Sequence, residues 1–179
     1  PDAAIRTFRA MAAHAGNAME TNWAYQGLAQ VYFSTGRFAE AVGAGRHAIA
    51  SDPLDDESLY TLGWSLVAMG DLEGAEGAFA RVRALRRPQY LLDAVLSQAF
   101  VRAHLGRADA LEPIRATADT LSGSGRLHAA FGFPLGRVTE AEVLAASARR
   151  DPARGGAWEL DAHFALGMAL ETGLGAAPR

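Results

Sequence analysis

The sequence lacks cysteine and lysine, has few aromatic residues, and contains no long apolar run. Without cysteine the chain can form no disulfide and perform no thiol chemistry, and its redox compartment stays open. All 17 cationic residues are arginine, which we interpret as the codon usage of a GC-rich genome. No apolar run approaches the roughly 18 residues of a membrane-spanning helix. The composition therefore excludes a disulfide scaffold and predicts no membrane insertion.

Net charge and apolar content further limit the fold class and the kinds of partner that the chain could have. The formal net charge is −3 at pH 7, which gives no general attraction to nucleic acid or to an anionic membrane. Half of the residues are hydrophobic but only 8% are aromatic, so alanine and leucine supply much of the apolar content. Both are strong helix formers, whereas the β-branched residues that favour strands are sparse. The composition predicts an all-α chain.

The first residue bears on the extent of the chain. Pro1 stands where an initiator methionine would be, so we expect the chain to be an excerpt of a longer protein. No signal peptide is evident before the first helical pattern. A cytoplasmic location is favoured, and export of the parent chain stays open.

A glycine-centred phrase recurs four times, as FSTGRFAEA, VAMGDLEGA, AHLGRADAL and FPLGRVTEA. Its glycines are separated by 34, 36 and 30 residues and are Gly36, Gly70, Gly106 and Gly136. Each follows an apolar-periodic segment and precedes another, which is typical of a glycine that ends the first helix of a helix–turn–helix unit. The phrases predict a series of helical hairpins.

Two units between Asn22 and Pro88 show the pattern most clearly. In the first unit, residues at helical spacing flank Gly36; they are Tyr25, Leu28, Ala29 and Tyr32 before it, and Phe38, Ala41 and Ala48 after it. In the second unit, the matching residues flank Gly70; they are Leu59, Leu62, Gly63 and Leu66, then Ala75, Ala78, Phe79 and Val82. This pattern resembles the tetratricopeptide repeat, W-x2-L-G-x2-Y…A-x3-F…P over 34 residues.

The resemblance implies an all-α, right-handed superhelical solenoid of antiparallel helix pairs. We expect a single repeat domain over residues 1–179. Its expected divisions are a partial repeat at 1–21, repeats at about 22–55, 56–88, 89–121 and 122–153, and a partial repeat at 154–179. The match weakens beyond Pro88, because Gln98 and Arg102 occupy positions where the family has leucine and an aromatic residue. In the shortened fourth unit, Pro134 interrupts a weak first helix near 127–133.

One short motif suggests a nucleotide site. In AVGAGRHAIA, the residues Gly43, Gly45 and Ala48 fit the dinucleotide-binding pattern G-x-G-x-x-G/A. That pattern requires a strand before the glycines, whereas the repeat places TGRFAEA there as the start of a helix. We therefore expect both glycines inside a helix, where they would let a neighbouring helix approach closely, and we predict no cofactor.

No catalytic or metal-binding constellation is predicted. The histidines show no i, i+4 pair of the kind that binds zinc; they are His14, His47, His104, His128 and His163. LSGSGR at 121–126 lacks the G-x-S-x-G order of a nucleophile elbow and predicts a loop. The sequence therefore indicates a chain that is not itself an enzyme.

Two charged segments receive structural interpretations. RVRALRRP ends a predicted helix, where arginines offset the negative end of the helix dipole; they are Arg81, Arg83, Arg86 and Arg87. SDPLDDES surrounds a helix start, where carboxylates cap free amides; its acids are Asp52, Asp55, Asp56 and Glu57.

The resemblance also implies a concave surface lined by the first helix of each unit. The matching positions are Trp23, Gln26, Gln30 and Phe33, then Glu57, Tyr60, Trp64 and Val67, then Asp93, Leu96 and Phe100. Their aromatic residues would form an apolar trough that suits a partner peptide or helix. The alternative is that another segment of the chain covers them. Family members that bind acidic chaperone tails use Lys, Arg and Asn here; this chain has Gln26, Gln30, Thr61, Asp93 and Ser97, so no carboxylate clamp is expected.

Three functional hypotheses follow. The leading one is a protein-interaction module that binds a protein or peptide partner of unknown identity. The second is an accessory region of a larger enzyme or regulatory protein, because DAHFALGMALE looks like the last repeat before the catalytic domain of bacterial repeat-containing sulfotransferases. The third is a nucleic-acid-binding regulator that uses the Arg81 to Arg87 edge, although the charge balance argues against nucleic acid.

Overall fold

A computed structural model of the chain describes residues 1–118, 131–147 and 166–173. These ranges contain helices and turns and no strand, which confirms the prediction of an all-α chain for them. The helices in chain order are α1 (Asp2–His14), α2 (Ala18–Ser34), α3 (Phe38–Ser51), α4 (Asp56–Ala68), α5 (Leu72–Leu85), α6 (Pro88–His104), α7 (Glu112–Ala118) and α8 (Glu140–Ser147). Residues 166–172 are also helical. No helix of the described ranges has both the length and the apolarity that a membrane crossing requires.

The chain divides into two compact units, Pro1–Ala94 and Val95–Arg179. In the first unit, α1 to α5 pack as consecutive neighbours, and α2 also contacts α4. This is the arrangement of successive helical hairpins, with α2 and α3 as one pair and α4 and α5 as the next. Buried residues of α1, α2 and α3 form one core cluster, namely Ile5, Leu28, Ala29, Tyr32, Ala41 and Ala44.

The four predicted turn glycines share one backbone geometry. All have left-handed φ angles, 73° at Gly36, 80° at Gly70, and 67° at both Gly106 and Gly136. The next residue donates its N–H to the carbonyl five positions back, at 2.8 Å (Arg37 to Tyr32), 2.9 Å (Asp71 to Leu66), 3.0 Å (Arg107 to Arg102) and 2.8 Å (Arg137 to Gly132). This is the hydrogen bond of a Schellman motif. The predicted helix ends are confirmed at Gly36, Gly70 and Gly106, and Gly173 adds a further left-handed glycine at φ 69°.

Helix α2 begins earlier than the repeat pattern predicts. Asn17 caps it, since the Asn17 side chain accepts from the Glu20 N–H at 2.9 Å, and Glu20 accepts from the Gly16 N–H at 2.8 Å. The pair satisfies two amides at the helix start, much as a capping box does. As a result α2 has 17 residues, whereas α4 has 13.

Small residues allow close helix contacts in the first unit. A Cβ added to Gly63 would lie 2.6 Å from Phe79, and one added to Gly27 would lie 2.4 Å from Phe8. The expectation for the two glycines of α3 is only half correct. A Cβ on Gly45 would be 3.4 Å from Leu62, but one on Gly43 would meet nothing within 4 Å, so Gly43 serves no close approach.

In the second unit, Gln98 and Arg102 replace the leucine and the aromatic residue of the repeat pattern, and their surroundings differ. Val95 and Ala99 are fully buried. Arg102, in the position of an aromatic residue, forms an ion pair with Asp109. Gln98 is 2% exposed, and its Oε1 has no hydrogen-bond partner among the residues that the structure describes.

Candidate functional site

One face of α2 remains open to solvent. Trp23 and Met19 are four residues apart on this face and are 53% and 55% exposed. Gln26 and Gln30 continue the same stripe at helical spacing, and Phe33 ends it, half-buried and 5.8 Å from the ring of Phe38. The opposite side of α2 is buried, so the helix is anchored by its apolar stripe and presents Trp23 outward.

Helix α4 has a corresponding face. Glu57, Tyr60, Trp64 and Val67 are half-buried and lie at helical spacing, and Thr61 lies beside them. The other side of the helix is buried, with Leu59 at 1% and Leu66 at 6% exposure. The stripe of α4 therefore lies at the border between the core and the solvent.

Side-chain hydrogen bonds join the two stripes. Gln26 donates to one oxygen of Glu57 at 3.0 Å, and Gln30 donates to the other. Because Glu57 lies one turn before Tyr60, these bonds place the stripes of α2 and α4 next to each other. We call the surface formed by Trp23, Gln26, Gln30, Glu57, Tyr60 and Trp64 the α2–α4 face.

Buried hydrogen bonds of Asp55 also connect α2 to α4. Asp55 is 7% exposed and caps α4 by accepting from the Ser58 N–H at 3.1 Å. Its second oxygen accepts from the Asn22 side chain at 2.8 Å, and Asn22 also donates to the Ala48 carbonyl at 3.2 Å. The capping role predicted for this acidic segment is confirmed at Asp55. Asn22 was missed as a linking residue, because sequence spacing alone does not show which polar residues meet between helices.

Aromatic rings support the α4 half of the face. The fully buried ring of Phe79 lies 5.8 Å from Tyr60 and 5.5 Å from Trp64, both edge to face. Tyr90 lies 5.4 Å from Tyr60. Trp64 is thus half-buried and contacts a core residue, whereas Trp23 is the more exposed indole. An alanine at position 64 would change both the surface and the packing, so Trp23 is the cleaner probe of binding.

Two ionisable groups at the α4 half of the α2–α4 face, Glu57 and Tyr90, have raised pKa values. Burial raises the pKa of Glu57, and the nearby carboxylate of Asp55 raises it further. Burial also raises the pKa of Tyr90 to about 12, with the negative charge of Glu57 as the next cause. Both shifts have one physical origin, because a group that loses water near uncompensated negative charge resists becoming an anion.

The predicted site residues of α6 differ from one another in solvent exposure. Leu96 is fully buried, so its side chain packs inside the protein and offers no surface to a partner. Asp93 and Phe100 are half-buried, and the Phe100 ring lies 4.2 Å from that of His104. Nearly every residue from 94 to 101 is buried, so this part of α6 offers less exposed surface than the stripe of α2.

A separate open cavity of about 440 Å³ lies against α1, α2 and α3. Its lining includes small alanines and three polar groups that already have partners. Arg9 donates to the Tyr32 hydroxyl at 2.8 Å, Glu40 is hydrogen-bonded to Arg37, and His47 stacks on Tyr25 at 4.7 Å. The cavity is a packing feature between neighbouring helices.

The remaining sequence candidates are the glycine motif of α3, the metal-ligating residue types, the arginine segment and LSGSGR. Gly43 and Gly45 lie inside α3, with helix before them, so the context of a dinucleotide loop is absent there. Among the described residues no group of three potential metal ligands occurs.

Arg81 donates to the Pro53 carbonyl at 3.3 Å, and Arg87 lies 3.5 Å from the Asp56 carboxylate. The LSGSGR segment, His128 and His163 lie outside the described residues.

Comparison with known proteins adds no assignment to this geometry. No family model matches the chain, and no curated protein matches it.

Proposed function

We propose that the chain is a tetratricopeptide-like repeat module whose α2–α4 face binds a peptide or helix of a partner protein. The observation that carries this proposal is the pair of adjacent stripes on α2 and α4, with Trp23 53% exposed at one end. The recurrent turn geometry at the four glycines supports the repeat assignment.

The composition of the face suits a protein ligand. Tryptophan and tyrosine are enriched among the residues that dominate binding energy at protein interfaces. Trp23 offers a large apolar area, while Gln26 and Gln30 offer polar groups beside it. Such a mixture of exposed aromatic and polar groups favours a segment with alternating apolar and polar side chains.

The test is a selection of displayed random peptides on the full 179-residue chain, followed by affinity measurements. We expect Trp23→Ala to weaken the selected peptides by about 2 kcal/mol, roughly 30-fold, as a central aromatic contact does. The free energy of unfolding should change by less than about 0.5 kcal/mol, because the side chain is largely exposed.

Met69→Ala is the matched control. Met69 is 54% exposed but lies at the end of α4, outside the α2–α4 face. Its substitution should leave peptide affinity unchanged. Selected peptides that bind Trp23→Ala as well as the original chain would overturn the proposed function, as would a selection that yields none.

A further inference from the structure

The carboxylate of Glu57 has an unusual setting within the α2–α4 face. Both of its oxygens accept hydrogen bonds from neutral amides, those of Gln26 and Gln30. Amides orient the carboxylate but leave its negative charge in place. A carboxylate has about four acceptor positions, so two remain for a further donor.

The neighbouring acids are occupied by the fold. Asp55 caps α4 and holds Asn22, and Asp56 pairs with Arg87. Among the residues that the structure describes, no cation pairs with Glu57. The charge is also costly to the protein, because burial and the carboxylate of Asp55 raise the pKa of Glu57. The amides therefore hold, in a fixed orientation, a charge that the fold itself does not neutralise.

Two tyrosines lie close to this charge. Tyr60 follows Glu57 by one helical turn, and Tyr90, whose pKa the charge of Glu57 helps to raise, lies 5.4 Å from the ring of Tyr60. The faces of aromatic rings attract cations, and the methylene stems of arginine and lysine pack on apolar surface. A cation placed at Glu57 would gain a charge-assisted hydrogen bond and ring contacts together.

We propose that Glu57 determines the specificity of the α2–α4 face by receiving an arginine or lysine side chain of the partner segment. Apolar side chains of the same segment pack on Trp23 and Trp64. This inference rests on the proposed function and adds the charge of the partner. An acidic segment is rejected, because it would place like charges together.

The experiment is a double-mutant cycle on peptides selected with the original chain. We expect these peptides to share a basic residue. Replacing it with glutamine should lower affinity about tenfold or more, the usual effect of losing a hydrogen bond to a charged group. Glu57→Gln should cause the same loss, and in Glu57→Gln the peptide substitution should have no further effect.

Controls separate charge from folding. Glu73→Gln removes an exposed carboxylate from α5 and should leave affinity unchanged. Glu57→Gln keeps the shape of the side chain, and its thermal stability at neutral pH should be equal to or above that of the original chain. Glu57→Arg should select acidic residues at the same peptide position.

The outcomes distinguish the two proposals. Peptides that require Trp23 but carry no shared basic residue would overturn this inference and leave the proposed function standing. Losses from Glu57→Gln and from the peptide substitution that simply add would also overturn it. Peptides insensitive to Trp23→Ala would overturn both.

Discussion

Helices α2 and α4 occupy equivalent places in successive hairpins, yet their exposed stripes differ in chemistry. The turn glycines that end the two hairpins' first helices are 34 residues apart. At that offset Gln26 corresponds to Tyr60, and Gln30 corresponds to Trp64. Gln26 and Gln30 of α2 hold Glu57 by hydrogen bonds, whereas the corresponding positions of α4 are aromatic. Helix α2 thus orients the carboxylate of Glu57, and α4 carries both that carboxylate and the two aromatic rings.

The difference extends into the core behind the stripes. Phe79 supports Tyr60 and Trp64 from within the second hairpin, and its equivalent in the first hairpin is Gly45. A Cβ on Gly45 would lie 3.4 Å from Leu62 of the next hairpin. Equivalent positions of the two hairpins are therefore packed against different neighbours.

Removing the support of the aromatic stripe should have the largest effect. Phe79→Ala should lower the free energy of unfolding by about 3–5 kcal/mol, because a fully buried ring would leave a cavity. Phe33→Ala, at the half-buried end of the α2 stripe, should cost clearly less. Denaturant unfolding of both variants measures the difference. Equal losses would contradict the larger packing contribution of Phe79.

The next largest loss of stability is expected where a larger side chain replaces Gly63, which lies against Phe79. Gly63→Leu should destabilise the protein by about 1–3 kcal/mol, since the new side chain would overlap Phe79. Gly43→Ala should instead stabilise it by up to about 1 kcal/mol, because the helical site is open and alanine is the better helix former. Thermal melts report both changes. A stabilising Gly63→Leu would mean that the helices are not in contact there.

Removing the helix caps Asp55 and Asp71 should lower the free energy of unfolding by smaller, unequal amounts. Asp55→Ala should cost about 2 kcal/mol, because it removes the α4 cap and leaves the buried Asn22 amide short of a partner. Asp71→Ala removes only an exposed cap at α5, formed with the Gly74 N–H, and should cost about 1 kcal/mol. Chemical denaturation decides between them, and identical costs would contradict a linking role for Asn22.

Alkaline titration gives the smallest expected effect. Tyr90 has its pKa raised to about 12 in the folded chain, against about 10 in an unfolded chain. The unfolded chain therefore loses this proton first, and stability should fall as pH rises from about 10 to 12. The effect is modest because Tyr90 is only half-buried.

Tyr90→Phe should flatten that decline, and the absence of lysine keeps other titrations in this range few. Melting temperatures across the range compare the variant with the original chain. An equally steep decline in Tyr90→Phe would contradict the assigned environment.

The sequence predicted much of this organisation for a clear physical reason. Left-handed turn glycines and apolar stripes repeat with the period of the hairpin, so the ends of α2, α4 and α6 could be located from the sequence. Contacts set by three-dimensional packing could not, and Asn22 with Asp55 and Tyr90 with Tyr60 are examples. The early start of α2 had a signal, the N-x-x-E of its cap. Leu96 was misplaced because six consecutive residues of α6, 94–99, are all buried, so the helix has no exposed side at that point.

Binding of a peptide at the α2–α4 face can be observed through the indole N–H resonances of Trp23 and Trp64. Both signals, assigned with Trp→Phe variants, would be followed by NMR while a selected peptide is added to the full chain. Binding at the α2–α4 face should shift both resonances in proportion to peptide occupancy, with the larger change at Trp23. Saturating binding that moves neither resonance would contradict it.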